Sequence, residues 1–238
     1  MSILPSARTA LLGLRGVRLL EGLDTAALEQ LSGSLDWRRF EAGQQVITRN
    51  APDRDVYLVI AGKVQVVAFS ASGRQITYRE MGAGEHFGEL AAIDGRARSA
   101  DVIALEGSLL AIMGQATFHE LLAHHEALRE RMLRGLVAFV REMTDRVFEL
   151  STLGVRNRVH AELLRLARRA GVAGNVARIC PAPRHGDIAS RVSTYREQVT
   201  RELSTLTTQG VVAREGNCLV VLDVVLLENI VADVRHTA

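Results

Sequence analysis

Between Leu35 and Met113 the chain is a succession of short apolar or alternating runs: QQVIT, DVYLVIAG, KVQVVAF, RQITYRE, RSADVIAL and SLLAIM. Gly43, Gly62, Gly73, Gly82, Gly84, Gly95 and Gly107 punctuate them. Successive side chains of a strand point to opposite faces, so such runs predict strands, and the glycines supply the turns between them. Many short strands at even spacing predict an all-β roll or barrel.

One stretch breaks that rhythm. FGELAAIDGRARSAD, from Phe87 to Asp101, opens on Gly88 and Glu89, passes through a short helical turn and closes on Arg98 and Ser99. A guanidinium forks onto phosphate oxygens. The Ser99 hydroxyl and the backbone N–H groups near Gly88 can donate to the same anion, and Glu89 can accept from a sugar hydroxyl. A helix start beside Gly88 would present unsatisfied N–H groups as well. The predicted ligand is a phosphorylated sugar. A metal-dependent barrel enzyme is the rival reading, but it needs clustered histidines, and this region offers only His86.

Outside the roll the periodicity is helical. In Arg18 to Ser34, Leu19, Leu20, Leu23, Leu28 and Leu31 make a short helical prelude, with Asp24 capping a helix that starts at Thr25. From Thr117 to Leu153 lies the longest helical segment. Its Leu133, Leu136, Val140, Met143, Val147 and Leu150 alternate spacings of three and four, the seam of a parallel homodimer. Gly154 marks the expected hinge. Val155 to Ala170 restarts as an amphipathic helix, and the Gly- and Pro-rich GVAGNVARICPAPRHG reads as a loop or small hairpin.

Gly186 to Gly210 then predicts two short helices joined by a tight turn at Ser193, a helix-turn-helix. Val199, Leu203 and Leu206 face inward on its second helix, which leaves Arg196, Glu197 and Arg201 outward. Arginine can fork onto guanine and glutamate can accept from cytosine. Ser193, Tyr195 and Gln198 complete the candidate DNA face. Val211 to Leu222 forms two strands around Glu215, Gly216 and Asn217, the wing of a winged helix, and DVVLLENIVADVR adds a final amphipathic helix.

Charge follows the same division. Met1 to Gly154 carries 17 basic and 19 acidic residues, whereas Val155 to Leu222 carries 11 arginines and 5 acids. A net +6 on that short block favours a polyanion through counterion release. Two cysteines, Cys180 and Cys218, are too few for a disulfide framework or a four-thiolate cluster, and reduced thiols are expected. No apolar run approaches a membrane span, and no cleavage site follows the N-terminal apolar residues, so the expected location is the cytoplasm.

The residues FGELAAIDG and RARSA resemble the phosphate-binding cassette of the cyclic-AMP receptor protein and fumarate-nitrate regulator family of bacterial transcription factors, and the resemblance runs from about Leu19 to Leu222. It implies an α+β chain that is not an enzyme: a β-roll over 1–118, a dimerisation helix over 119–153 and a winged helix-turn-helix over 154–238. The implied allosteric ligand is cyclic AMP; the alternative is a regulator of the same fold that answers to cyclic GMP, to both nucleotides or to another effector. Gly88, Glu89, Leu90, Arg98 and Ser99 would hold its phosphate and ribose, and Thr144 would meet the base across the dimer. Met143 departs from a family threonine, which leaves the purine less specified. Arg196, Glu197 and Arg201 match the family's base-reading positions and imply TGTGA-like palindromic half-sites. Ser193 stands where the family often has glycine, and Tyr195 where it often has a small hydroxyl residue. Implied partners are double-stranded DNA, a second copy of the chain and RNA polymerase, with no membrane. The family's iron-sulfur oxygen sensors carry an N-terminal cysteine group that this chain lacks.

Overall fold

A computed structural model describes residues 6–237. The chain runs α1 (Ala7–Arg15), α2 (Thr25–Ser34), β1 (Asp36–Phe40), β2 (Gln45–Ile47), β3 (Val56–Ala61), β4 (Lys63–Phe69), β5 (Gln75–Gly82) and β6 (His86–Phe87). It continues through α3 (Glu89–Asp94), β7 (Asp101–Ala104), β8 (Ser108–Met113), α4 (Gln115–His124) and the 27-residue α5 (Glu126–Thr152). The last third is α6 (Val155–Ala170), β9 (Val172–Ala173), β10 (Val176–Ile179), α7 (His185–Arg191), α8 (Arg196–Thr208), β11 (Val212–Glu215), β12 (Cys218–Val221) and α9 (Val224–Thr237). Two compact units divide inside α5, between Phe139 and Val140.

In the first unit two four-stranded antiparallel sheets, ordered β1-β8-β3-β6 and β2-β7-β4-β5, form the roll. Their shared core holds Phe40, Val59, Val64, Phe87, Val102 and Leu110. Strand β3 is apolar on both faces, and the structure shows why. Tyr57 and Val59 enter the core between the sheets, while Val56 and Leu58 enter a second core with Leu14 of α1, Phe118 of α4 and Leu128 of α5. Strand β8 divides in the same way, with Leu110 and Ile112 on one side and Ala111 and Met113 on the other. The predicted cap of α2 is present: Asp24 Oδ1 accepts from the Ala27 N–H at 2.8 Å.

Several expectations need revision. Strand β1 was not legible because its exposed Arg38 and Arg39 interrupt the apolar pattern, although Trp37 and Phe40 are buried. The segment expected as one helix from Thr117 is broken at His125, whose φ of −120° and ψ of 95° are extended. One residue of the expected seam is taken up elsewhere: Leu136 packs on the core of its own unit, while its neighbour Val137 is 54% exposed. Leu133, Val140, Val147 and Leu150 of that seam are exposed. Cys180 and Cys218, expected as reduced thiols, form a disulfide. Register explains it: Ile179 pairs with Leu219 across β10 and β12, which sets the adjoining cysteines opposite each other.

The second unit has a sheet ordered β11-β12-β10-β9 and a core built from Val159, Leu163, Ile188, Val199, Leu206, Val221 and Leu227. Helix α5 ends at Thr152, and Gly154, with φ −62° and ψ 159°, precedes α6 as its cap. Among the described residues no helix is long and apolar enough to cross a membrane.

Candidate functional site

Arg98 is the centre of the first candidate site. Its backbone is stitched to the segment joining β2 and β3, donating to the Ala51 carbonyl at 3.0 Å and accepting from the Asn50 N–H at 2.9 Å. Its side chain is only 2% exposed. Four hydrogen bonds engage the guanidinium: Nη1 donates to the Gly88 carbonyl at 3.0 Å, Nη2 to the Asp55 carbonyl at 2.8 Å, Nε to Asp53 Oδ1 at 2.8 Å, and Nη2 to that same Oδ1. It also lies over the Tyr57 ring, 5.6 Å from the centroid, and Tyr57 stacks on Phe87 with centroids 5.0 Å apart.

Gly88 is required by this packing. Its φ is +90°, and a Cβ there would stand 2.7 Å from the Asp55 oxygen and 2.8 Å from Arg98 Nη1. Only glycine takes that conformation without a steric cost and lets the backbone come so near. Glu89 follows as the first residue of α3. Burial pushes its carboxyl above the usual carboxylate range, opposed by its own backbone N–H and by the charges of Arg79 and Arg98. Its Oε2 is buried and has no hydrogen-bond partner. An orphaned buried acceptor is costly, and a ribose hydroxyl is a donor suited to it.

The fold therefore brings Gly88, Glu89 and Arg98 together, as their sequence pattern predicts. Leu90 and Ser99 sit in the same segment with exposed side chains. Met143 and Thr144 lie on α5 in the second unit, Met143 half-buried and Thr144 exposed, with its hydroxyl donating to the Val140 carbonyl at 2.9 Å. Sequence reasoning missed Asp53, Asp55 and Tyr57. The run PDRD just ahead of an apolar strand is a signal, but nothing local connects it to an arginine 45 residues later.

The second candidate site is on α7 and α8. Ile188 and Ala189 of α7 and Val199, Leu203 and Leu206 of α8 are buried, so the pair is held by its inner faces. Ser193 makes the turn with φ +53°. Tyr195 caps α8 and is 61% exposed, and Arg196, Glu197, Gln198 and Arg201 all point outward. Gln198 also accepts a hydrogen bond from the Thr194 hydroxyl. Beside them lies a cleft of about 450 Å³ lined by Arg184, His185, Asp187, Arg196 and Arg214. His185 Nδ1 is 2.7 Å from Thr200 Oγ1, and burial, with Arg196 and Arg214 nearby, pushes its pKa below the ordinary value. Arg184 and Arg214 were not singled out from sequence, because only the folding of α7 and β11 against α8 brings them to one cleft with Arg196.

A roll with an arginine buried against a glycine turn, followed by a winged helix-turn-helix with outward arginines, defines a DNA-binding transcription regulator with a nucleotide-binding domain. Two family models match the chain: a cyclic nucleotide-binding domain over residues 37–125 and a Crp-like helix-turn-helix domain over 157–230. The chain is 26% identical over 206 residues to a CRP-like cAMP-activated global transcriptional regulator of Mycobacterium tuberculosis, covering 86% of this chain and 92% of that protein. It is 28% identical over 217 residues to the cyclic AMP receptor protein of Thermus thermophilus, covering 91% and 98%. Among solved structures, a CooA mutant from Carboxydothermus hydrogenoformans shares the fold with a TM-score of 0.77 at 18% identity, covering 96% of this chain and 98% of that one. The chain belongs to the cyclic-AMP receptor protein and fumarate-nitrate regulator family of bacterial transcription factors, whose members are regulators and not enzymes.

Proposed function

We propose that this protein is a homodimeric, sequence-specific transcriptional regulator of the cytoplasm, switched by a 3′,5′-cyclic nucleotide. The reading assigns residues 1–118 to ligand binding, 119–153 to dimerisation and 154–238 to DNA. Cyclic AMP is the favoured ligand, since two relatives are named for it; the alternative is cyclic GMP, both nucleotides or another effector. The single observation carrying the ligand reading is the buried Arg98 guanidinium held against the Gly88 turn, with the orphaned Glu89 Oε2 in the same segment. In the bound protein Arg98 and Ser99 take the phosphate, Glu89 the ribose, Gly88 and Leu90 lend backbone groups, and Thr144, beside Met143, meets the base from α5. Ligand and DNA are coupled because the nucleotide binds the DNA-competent dimer more tightly than the incompetent one.

Support for the dimer comes from the apolar residues left exposed on α5, Leu133 and Val137 in the first unit and Val140 and Val147 in the second. Exposed apolar side chains on a long helix are costly in water and suit a second copy. A two-fold dimer sets two α8 helices on half-sites about one helical turn (~34 Å) apart. Arg196, Glu197 and Arg201 read TGTGA-like half-sites, with Ser193, Tyr195 and Gln198 contributing to the same face, and the bound dimer meets RNA polymerase. The test is titration of the purified protein with cyclic AMP and cyclic GMP by calorimetry, repeated on Arg98→Ala, with binding to a TGTGA palindrome followed at fixed salt. Arg98→Ala should abolish the nucleotide response while leaving a folded dimer, and a normal response in that variant would refute the pocket.

A further inference from the structure

The Arg98 cluster contains a feature that the ligand reading does not use. Asp53 Oδ1 accepts from both Nε and Nη2, the edge of the guanidinium that forks most directly onto an oxyanion. The two side chains differ sharply in burial: Arg98 is 2% exposed and Asp53 40%. Asp53 is therefore the side chain through which solvent reaches this edge of the buried arginine. The other acceptors on this guanidinium, the carbonyls of Gly88 and Asp55, belong to the backbone and stay where the chain puts them.

The geometry points to Asp53 as a built-in competitor for the ligand phosphate, a carboxylate that occupies the anion-binding edge of Arg98 and must swing away before a cyclic nucleotide can bind. This inference rests on the cyclic-nucleotide reading of the same site. Its physical basis is an exchange of like for like. A cyclic phosphodiester and a carboxylate each carry a single negative charge, so the incoming ligand gains little attraction that Asp53 did not already supply. The displaced carboxylate then remains close to the phosphate and repels it. Displacement is local. The Asn50 and Ala51 backbone bonds to Arg98 can persist while the Asp53 side chain alone rotates outward. Asp53 thus sets the threshold concentration at which the regulator responds. A contact that keeps the site closed in roughly nine molecules of ten weakens the apparent affinity about tenfold.

The experiment is calorimetric titration of the full-length protein, and of Asp53→Ala and Asp53→Asn, with cyclic AMP and with cyclic GMP at one ionic strength. Far-ultraviolet dichroism confirms that each variant is folded. Asp53→Asn keeps the size and an acceptor oxygen while removing the charge, so it reports even if the alanine variant misfolds. The expected result is tighter nucleotide binding in both variants, by about tenfold or more. Binding seen only in the variants would support the inference equally. Unchanged or weaker affinity, with the wild type still binding, would overturn it and make Asp53 a residue that positions Arg98. Absence of binding in all three proteins would overturn the nucleotide reading, and the competitor role with it.

Discussion

Substituting Arg165 should destabilise the second unit. Arg165 Nη1 donates to both oxygens of Glu149 at 2.9 Å, and its Nε donates to Glu162 at 2.9 Å. The side chains of Glu149 and Glu162 are only 8% and 4% exposed. Glu162 in turn accepts from Arg191 of α7 at 3.1 Å. The network ties the last turns of α5 to α6 and onward to the helix-turn-helix. Deleting one partner of a buried ion pair costs about 3–5 kcal/mol, because the other charge is left uncompensated. Arg165 is itself 34% exposed, and Arg191 still holds Glu162, so the low end applies, about 3 kcal/mol. With a urea dependence of about 2 kcal/mol/M, the midpoint of the transition carrying α6 should fall by about 1.5 M in Arg165→Ala. Circular dichroism during urea titration measures it. Adding Glu149→Gln to that variant should recover part of the loss, because it removes a buried carboxylate that has lost its bidentate partner and keeps only Arg146 and Arg158 nearby, and the shortfall from additivity gives the coupling energy. A midpoint shift below about 0.3 M, or strictly additive losses, would refute the reasoning.

Other predictions concern acid, the turn and the DNA face. Burial, reinforced by Arg79 and opposed by Glu85, pushes the His86 pKa from 6.5 to about 4. The unfolded chain takes up that proton first on acidification, so the His86 contribution is fully present above pH 6.5 and is lost as the pH falls toward 4, up to about 3 kcal/mol. Between pH 7 and 4.5 the wild type should therefore lose more stability in urea titrations than His86→Gln, and equal losses would rule out His86 as the sensor. Ser193 holds φ +53°, so Ser193→Gly should relieve about 1 kcal/mol of backbone strain and raise the thermal midpoint; a fall would contradict that. Arg201→Ala should weaken binding to the palindrome by roughly 1–3 kcal/mol and relax selectivity at one base pair, and equal losses on random DNA would show that it touches only phosphate.

Elements whose causes are local can be read from the residues alone. Short apolar or alternating runs such as KVQVVAF and SLLAIM mark strands because a strand's two faces are written residue by residue. Asp24 before Thr25 gave a helix start, and the spacing of Val199, Leu203 and Leu206 gave the inner face of α8. Gly88 and Arg98, ten residues apart, were readable as one site because a short helix joins them. The rest depends on which distant segments meet, and that is settled by packing of the whole chain. Leu136 and Val137 are both apolar neighbours on α5, and packing against the roll, not periodicity, turned one inward and left the other in water. Strand register placed Cys180 opposite Cys218 across 38 residues. Folding also put the Asp53 carboxylate on the Arg98 guanidinium, a juxtaposition that no short-range pattern encodes, because electrostatic partners are chosen by distance in space.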